Sequence, residues 1–274
     1  MGRLTSRRAR ARTIVAGTAV SIAIVGLWGG GHAAAESTPE IVYSGDNGPG
    51  FWGDVAGWEA CAGTSAAARQ SPIDIDHVVV DRRLTPLRLQ LHETPLALIN
   101  NGHSIEQEYE PGSTLALDGT IYDLTQFHFH TLSEHTVGGQ HGVMELHAVF
   151  ADPASDKKAV VGTLFVIGKA NRFIATLLAN GLPKKSGDEV NVPAEHVNVA
   201  DALTSTARYY TYPGSLTTPP CSETVTWLVL HDFAQLSKQQ FEAFRMILGN
   251  DFRPLQHRNG RTVRSSVNES DREH

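Results

Sequence analysis

Gln126-Phe127-His128-Phe129-His130, followed by Glu145-Leu146-His147, is the stretch whose reading decides the fold. Side chains along a strand alternate between faces, so His128 and His130 share one face while Phe127 and Phe129 share the other. Glu145 and His147 repeat the pattern on a second segment, and the 16 residues between His130 and His147 let two strands fold back antiparallel. That pairing gathers three imidazoles around one point. Three neutral nitrogen donors with a fourth position open make a catalytic zinc site. A lone His-x-His in a strand is most often surface composition. Here a third histidine with a carboxylate two residues before it, and aromatics flanking the first two, argue for a lined cavity. Buried imidazoles need partners, and Gln126 and Glu145 can accept from the ring nitrogens turned away from a metal.

The chain of 274 residues carries 23 Lys+Arg and 29 Asp+Glu, a net charge of −6. Its first segment reads as a signal peptide over residues 1–35. Arg3, Arg7, Arg8, Arg10 and Arg12 precede the apolar run Thr13–Trp28, no acidic residue occurs before Glu36, and Ala33-Ala34-Ala35 fits a cleavage site. The run is short for a membrane span, although an uncleaved anchor is the alternative. Ser6-Arg7-Arg8 is a weak twin-arginine match, which leaves the export route open. Removing residues 1–35 takes away 5 arginines and leaves 18 Lys+Arg against 29 Asp+Glu, or −11. An acidic surface argues against nucleic acid and anionic lipid as partners. The expected location is secreted or periplasmic, the mature chain is not membrane-embedded, and monomer and dimer both remain open. Cys61 and Cys221 are the two cysteines. An oxidising compartment favours a disulfide between them over two buried thiols.

Elsewhere the chain gives short alternating runs separated by turn residues. These are Leu87–Leu91, Ile105–Tyr109, Leu115–Leu117, Ile121–His130, Val143–Phe150, Val160–Ile167, Arg208–Tyr212 and Val225–Leu230, with a first segment opening at Gln70. The nearly continuous apolar run from Val160 to Val166 reads as a central strand covered on both faces. Two helices are expected. Phe173–Asn180 stops at Gly181 and Pro183. Ser237–Leu248 opens with a Ser237/Gln240 capping box and a Leu236/Phe241 staple, and turns Phe241, Phe244, Ile247 and Leu248 to the core. The expectation is a mostly β fold with a few short helices, built as one domain around a large, mainly antiparallel central sheet. It spans residues 36–264, with a polar tail over residues 265–274.

Four further stretches accompany the histidines: Asn100-Asn101-Gly102-His103, Ser133-Glu134-His135-Thr136, Tyr212-Pro213-Gly214-Ser215-Leu216-Thr217-Thr218-Pro219-Pro220 and Asn250–Gln256. Together with Tyr43–Trp52 and Gln70-Ser71-Pro72 they resemble the α-class carbonic anhydrases, of the bacterial exported type, over about residues 43–264. The resemblance implies the fold of that family, with a metal at the bottom of a cone-shaped cleft. It also implies Zn²⁺-dependent, reversible hydration of carbon dioxide to bicarbonate and a proton, with ester hydrolysis as a side reaction and buffer as the final proton acceptor. His128, His130 and His147 match the zinc ligands, and His103 matches the proton shuttle. Thr217 and Glu134 match the pair that orients the zinc-bound hydroxide, and Thr217 and Thr218 match the substrate-contacting threonines. Val149, Val160, Leu216 and Trp227 match the apolar wall, and Cys61 and Cys221 stand where exported members pair cysteines. Ser71-Pro72 and Pro219-Pro220 match cis peptide bonds.

The chemistry is consistent with the residues. A threonine hydroxyl has one proton to donate, so Thr217 bonded to ionised Glu134 can only accept from a hydroxide beside it. An apolar wall suits an uncharged substrate, and a rim histidine of near-neutral pKa can relay a proton to buffer. Tyr43 is expected to hydrogen-bond near that network, and Asn101 to support the site from the His103 loop. His135 reads as a satisfied buried histidine, His141 and His257 as solvated, and Arg253 as a tie to backbone carbonyls. Departures from the family are Thr131-Leu132, where proline is common in bacterial members, and His257, where the family often has proline. Two competing readings are a non-catalytic zinc-binding relative and a cupin-type metal oxygenase in which Glu134 is itself a ligand after His128-x-His130, although the glycine that precedes the cupin pattern is missing.

Overall fold

The computed structural model describes residues 39–267. The segment expected to be a signal peptide and most of the expected C-terminal tail lie outside the described residues. A 13-stranded sheet dominates. Its central run places Ile105–Glu108, Thr120–His130, Met144–Ala151, Lys158–Ile167, Val225–Leu230 and Tyr209–Gly214 side by side. Most neighbours are antiparallel. Lys158–Ile167 instead runs parallel to Val225–Leu230 and to Ala234–Leu236. A second, three-stranded sheet joins Asp74–Ile75, Thr136–Val137 and Gln140–His141.

The two decisive strands pair as their alternation demands. Thr120–His130 and Met144–Ala151 run antiparallel with His147 opposite His128 and Glu145 opposite His130. Phe127 and Phe129, on the other face, are fully buried with Leu146, Ala148 and Phe150 in the larger core cluster. One face of these strands is therefore given to the core and the other to the histidines. The Lys158–Ile167 strand is buried from Ala159 to Phe165, as a central strand covered on both faces should be.

Among the strands that alternation does not announce, two are long. Thr94–Asn100 carries Pro95, and Glu189–Val197 is a charged strand with Pro193 and a register shift between Val192 and His196. Proline removes a ladder donor and confines a strand to edges or irregular pairings. Glu189–Val197 is indeed the terminal strand of the sheet. At the other end, Arg264–Ser265 pairs with Tyr210 and Thr211. The sheet therefore extends to Ser265, which the expectation had assigned to the tail.

Both expected helices form. α1 spans Arg172–Asn180, with the Asn171 side chain accepting from the Ile174 amide. α2 spans Lys238–Leu248 behind the Ser237/Gln240 capping box. Gln240 also bonds Asn171 in both directions, its Oε1 accepting from the Asn171 amide and its Nε2 donating to the Asn171 carbonyl. One amide thus ties the starts of the two helices together. Phe244 is fully buried, and Phe241, Ile247 and Leu248 pack around the same core.

Candidate active site

His128 and His130 leave one strand and His147 leaves its antiparallel neighbour, so the three rings meet on the sheet face opposite the phenylalanines. Their centroids lie 4.8–5.1 Å apart, and one nitrogen from each falls in a cluster no wider than 4.8 Å. Each ring is held from behind. His128 Nδ1 lies 2.7 Å from Gln126 Oε1. His130 Nδ1 lies 2.6 Å from the Asp251 carbonyl. His147 Nε2 lies 2.9 Å from Glu145 Oε1.

These acceptors fix the tautomers. A carbonyl oxygen or a carboxylate can only accept, so each outward nitrogen carries the proton and each inward nitrogen bears a bare lone pair. The consequence is sharpest between His128 Nε2 and His147 Nδ1, which approach to 3.3 Å with no proton between them. His130 Nε2, fully buried, has no hydrogen-bond partner among the described residues. Lone pairs converging this way repel one another unless a cation sits among them. Zinc with Zn–N bonds of about 2.0–2.1 Å in tetrahedral geometry separates its nitrogens by about 3.3–3.4 Å. The donor set therefore fits zinc.

Glu145 is shared. Its Oε1 also lies 2.8 Å from His135 Nδ1, and its Oε2 accepts from the His135 amide at 2.9 Å. Burial opposes its ionisation, but the flanking His135 and His147 hold the carboxyl well below the usual range. Burial keeps His128 well below the ordinary imidazole range and also lowers His147. His130 is the exception, because the carboxylates of Glu134 and Asp251 outweigh its burial and raise it. Gly162, opposite His147 on the next strand, makes room for this arrangement: a Cβ there would sit 3.0 Å from Glu145 Oε1.

Comparison with known proteins agrees with this geometry. The family model for eukaryotic-type carbonic anhydrases matches residues 47–267. The chain belongs to the α-carbonic anhydrase family. A carbonic anhydrase of Klebsiella pneumoniae is 36% identical over 225 residues, covering 81% of this chain and 89% of that one. One from Neisseria gonorrhoeae is 34% identical over 224 residues, covering 81% and 86%. The α-carbonic anhydrase structure of Photobacterium profundum superposes with a TM-score of 0.76 at 39% identity, covering 82% of this chain and all of that one. The cupin alternative falls with this assignment.

In the setting of a carbonic anhydrase the remaining expected residues can be placed. Val149, Val160 and Trp227 lie in line across three neighbouring strands, and Leu216 packs against the same cluster. Trp227 also makes an edge contact with His147, 4.8 Å between centroids. Thr217 is buried and Thr218 half-buried on the loop after Gly214. Cys61 and Cys221, the latter directly after Pro220, form a disulfide. Arg253 binds the carbonyls of Cys61 and Ser71 and the side-chain oxygen of Gln70. The expected tie to backbone carbonyls therefore exists. His135 is fully buried between Glu145 and the Tyr212 hydroxyl, 2.7 Å away, while His141 and His257 are exposed. Ser71-Pro72 and Pro219-Pro220 are cis, and so is Thr131-Leu132.

Three placements differ from expectation, those of Glu134, Tyr43 and His103. Glu134 accepts from the Arg253 amide through Oε1, but its Oε2 has no hydrogen-bond partner among the described residues, so the expected bond from Thr217 is not formed. That oxygen lies 3.6 Å from His130 Nε2 and 4.0 Å from His147 Nδ1. The Tyr43 hydroxyl is buried without a hydrogen-bond partner among the described residues, and burial followed by the charges of Glu134 and Asp251 raises its pKa. Asn101 touches no ligand. It donates to Glu106 at 3.4 Å and accepts the amides of His103 and Ser104. His103 lines a cavity of about 360 Å³ with Tyr43, Ser44, Lys184, Ser186 and Asp251. Burial, with a smaller contribution from His130, lowers its pKa to about 4 instead of leaving it near neutral.

Two residues of the site escaped the sequence reading. Asp251 meets His130 through its backbone carbonyl, and no side-chain pattern announces a carbonyl. Glu106 pairs in register with His128, which only the strand order reveals.

Proposed function

We propose that the protein is an exported zinc enzyme that hydrates carbon dioxide reversibly to bicarbonate and a proton. The observation that carries this reading is the convergence of three bare imidazole lone pairs, from His128, His130 and His147, each held by a fixed acceptor behind it. A zinc ion bound there supplies a nucleophile at neutral pH by acidifying a coordinated water, the established chemistry of the family.

The chain's own residues do the rest. Neutral imidazoles leave the cation its full charge. Gln126, Glu145 and the Asp251 carbonyl hold the rings so that little rearrangement is needed on binding. Val149, Val160, Leu216 and Trp227 offer the small, uncharged substrate an apolar surface and bind no ion. Buried Glu134, with Oε2 unclaimed among the described residues, is the acceptor for the Thr217 hydroxyl. Once that bond is made, the hydroxyl can only accept toward the cleft, which turns a nucleophile's lone pair to the substrate. Thr218 contacts substrate beside it. His103 relays the departing proton toward buffer, with Tyr43 and Asn101 along its side of the cleft. A histidine lowered to about 4 is a weak acceptor at neutral pH.

The disulfide and the bacterial relatives support export. No helix among the described residues is long and apolar enough to cross a membrane. The proposal is tested by carbon dioxide hydration before and after metal stripping. Activity that disappears with a zinc chelator and returns with one equivalent of zinc is expected. Stoichiometric zinc without hydration would instead support a non-catalytic zinc-binding relative.

A further inference from the structure

Gln126 is the weak point of the ligand cage. Glu145 is a carboxylate and the Asp251 acceptor is a backbone carbonyl, and neither can become a donor. A glutamine amide can. Rotated by half a turn, Gln126 would present Nε2 to His128, which would then carry its proton on the inward nitrogen and lose the lone pair a metal needs. Something must hold the amide in the productive direction.

Glu106 stands on the adjacent strand, opposite His128 in register. Its Oε2 accepts from Gln126 Nε2 at 3.0 Å and from Asn101 Nδ2 at 3.4 Å. Burial, followed by the charge of Glu108, raises the Glu106 pKa, but once ionised Glu106 can only accept, so Gln126 then turns its NH₂ toward Glu106 and its oxygen toward His128. The polarity of the row Glu106–Gln126–His128 is thereby set from its acidic end. Asn101, bound to the same oxygen, receives the amides of His103 and Ser104 on its own side-chain oxygen. The same carboxylate therefore also anchors the loop that carries His103.

We propose that Glu106 is a positioning residue that acts through Gln126 to keep His128 in its metal-binding tautomer. This rests on the zinc reading above and deepens it. The discriminating substitution is Glu106→Gln, which keeps size and shape but supplies an end group able to donate as well as accept. Two directions of the amide row then become self-consistent, one with His128 protonated on Nδ1 and one with it protonated on Nε2.

Two readouts test this. The first is zinc release to excess chelator from the loaded enzyme. Loss of partners that bond a ligand directly typically costs 10–100-fold in affinity. For a group one bond further out, release faster by roughly 3–10-fold is expected. In a Gln126→Ala background the same Glu106→Gln change should add nothing, because its route to His128 is gone. The second is the ¹⁵N spectrum of the His128 ring in the chelated protein. The wild type should show the Nδ1–H form alone and Glu106→Gln a mixture of both forms. Unchanged release with a single tautomer, or an equal effect in the Gln126→Ala background, would overturn the role of Glu106. A wild-type chain that never takes up zinc would instead overturn the metal reading, before any variant is compared.

Discussion

His128 Nε2 and His147 Nδ1 face each other across 3.3 Å, and both rings have already spent their proton on the opposite side, toward Gln126 and Glu145. Two lone pairs at that range make a contact that a shared cation relieves. The strand register produces it, because His147 sits directly opposite His128. The acceptors behind the rings then keep it from relaxing into an ordinary hydrogen bond.

His147→Ala should abolish stoichiometric zinc binding, because two imidazoles remain and Glu145 loses the ring it orients. Metal analysis of the purified variant checks this. One equivalent of zinc retained after dialysis would remove His147 from the ligand set.

Thr217→Ala should keep its zinc and lose roughly 10²-fold in the hydration step, the scale of a misdirected reactant. Stopped-flow turnover at saturating buffer is the measurement. Because Glu134 Oε2 is without a hydrogen-bond partner among the described residues, turnover equal to the wild type would mean that the hydroxyl never closes onto it.

His103 yields a prediction with a definite sign. Its imidazole is lowered from 6.5 to about 4 in the folded chain, so between those values it is neutral when folded and protonated when unfolded. Unfolding then takes up a proton, and stability falls as pH drops through that window. Thermal melts from pH 4 to 7 should therefore show a shallower pH dependence in His103→Gln, and identical slopes would contradict the lowered value. Positioned proton transfer typically contributes 10²–10⁴-fold, and so weak a base should supply less than ~10-fold in dilute buffer, recoverable with added imidazole.

The disulfide closes a separation of 160 residues. Cys61→Ser should cost about 2–4 kcal/mol and lower the melting temperature by about 5–15 °C. Because Arg253 and Gln70 bond the carbonyls of Cys61 and Cys221, the loss should loosen the Thr217 loop as well. A melting temperature unchanged in the variant would show that packing alone holds that corner.

Much of this was legible in the residues. Alternation alone paired the His128 and His147 strands, since burying Phe127 and Phe129 forces the histidines to the other face. Gln240 and Ser237 announced α2 through a cap that needs only local spacing. What stayed hidden depends on strand order or on the main chain. The Glu189–Val197 edge strand is masked by charge and Pro193. Glu106 lies far from Gln126 along the chain and meets it only through register. The lowered pKa of His103 follows from burial of its ring and then from His130, whereas a glycine turn reads as an exposed rim.

On the proposed reading, three imidazoles and nothing else from the protein grip one zinc ion. Zinc K-edge X-ray absorption on the purified chain tests it most directly. The expected result is one zinc per chain, four light-atom neighbours near about 2.0 Å, and the outer-ring scattering of three imidazoles. A site with two imidazoles and a carboxylate, or a folded chain that takes up no zinc, would contradict it.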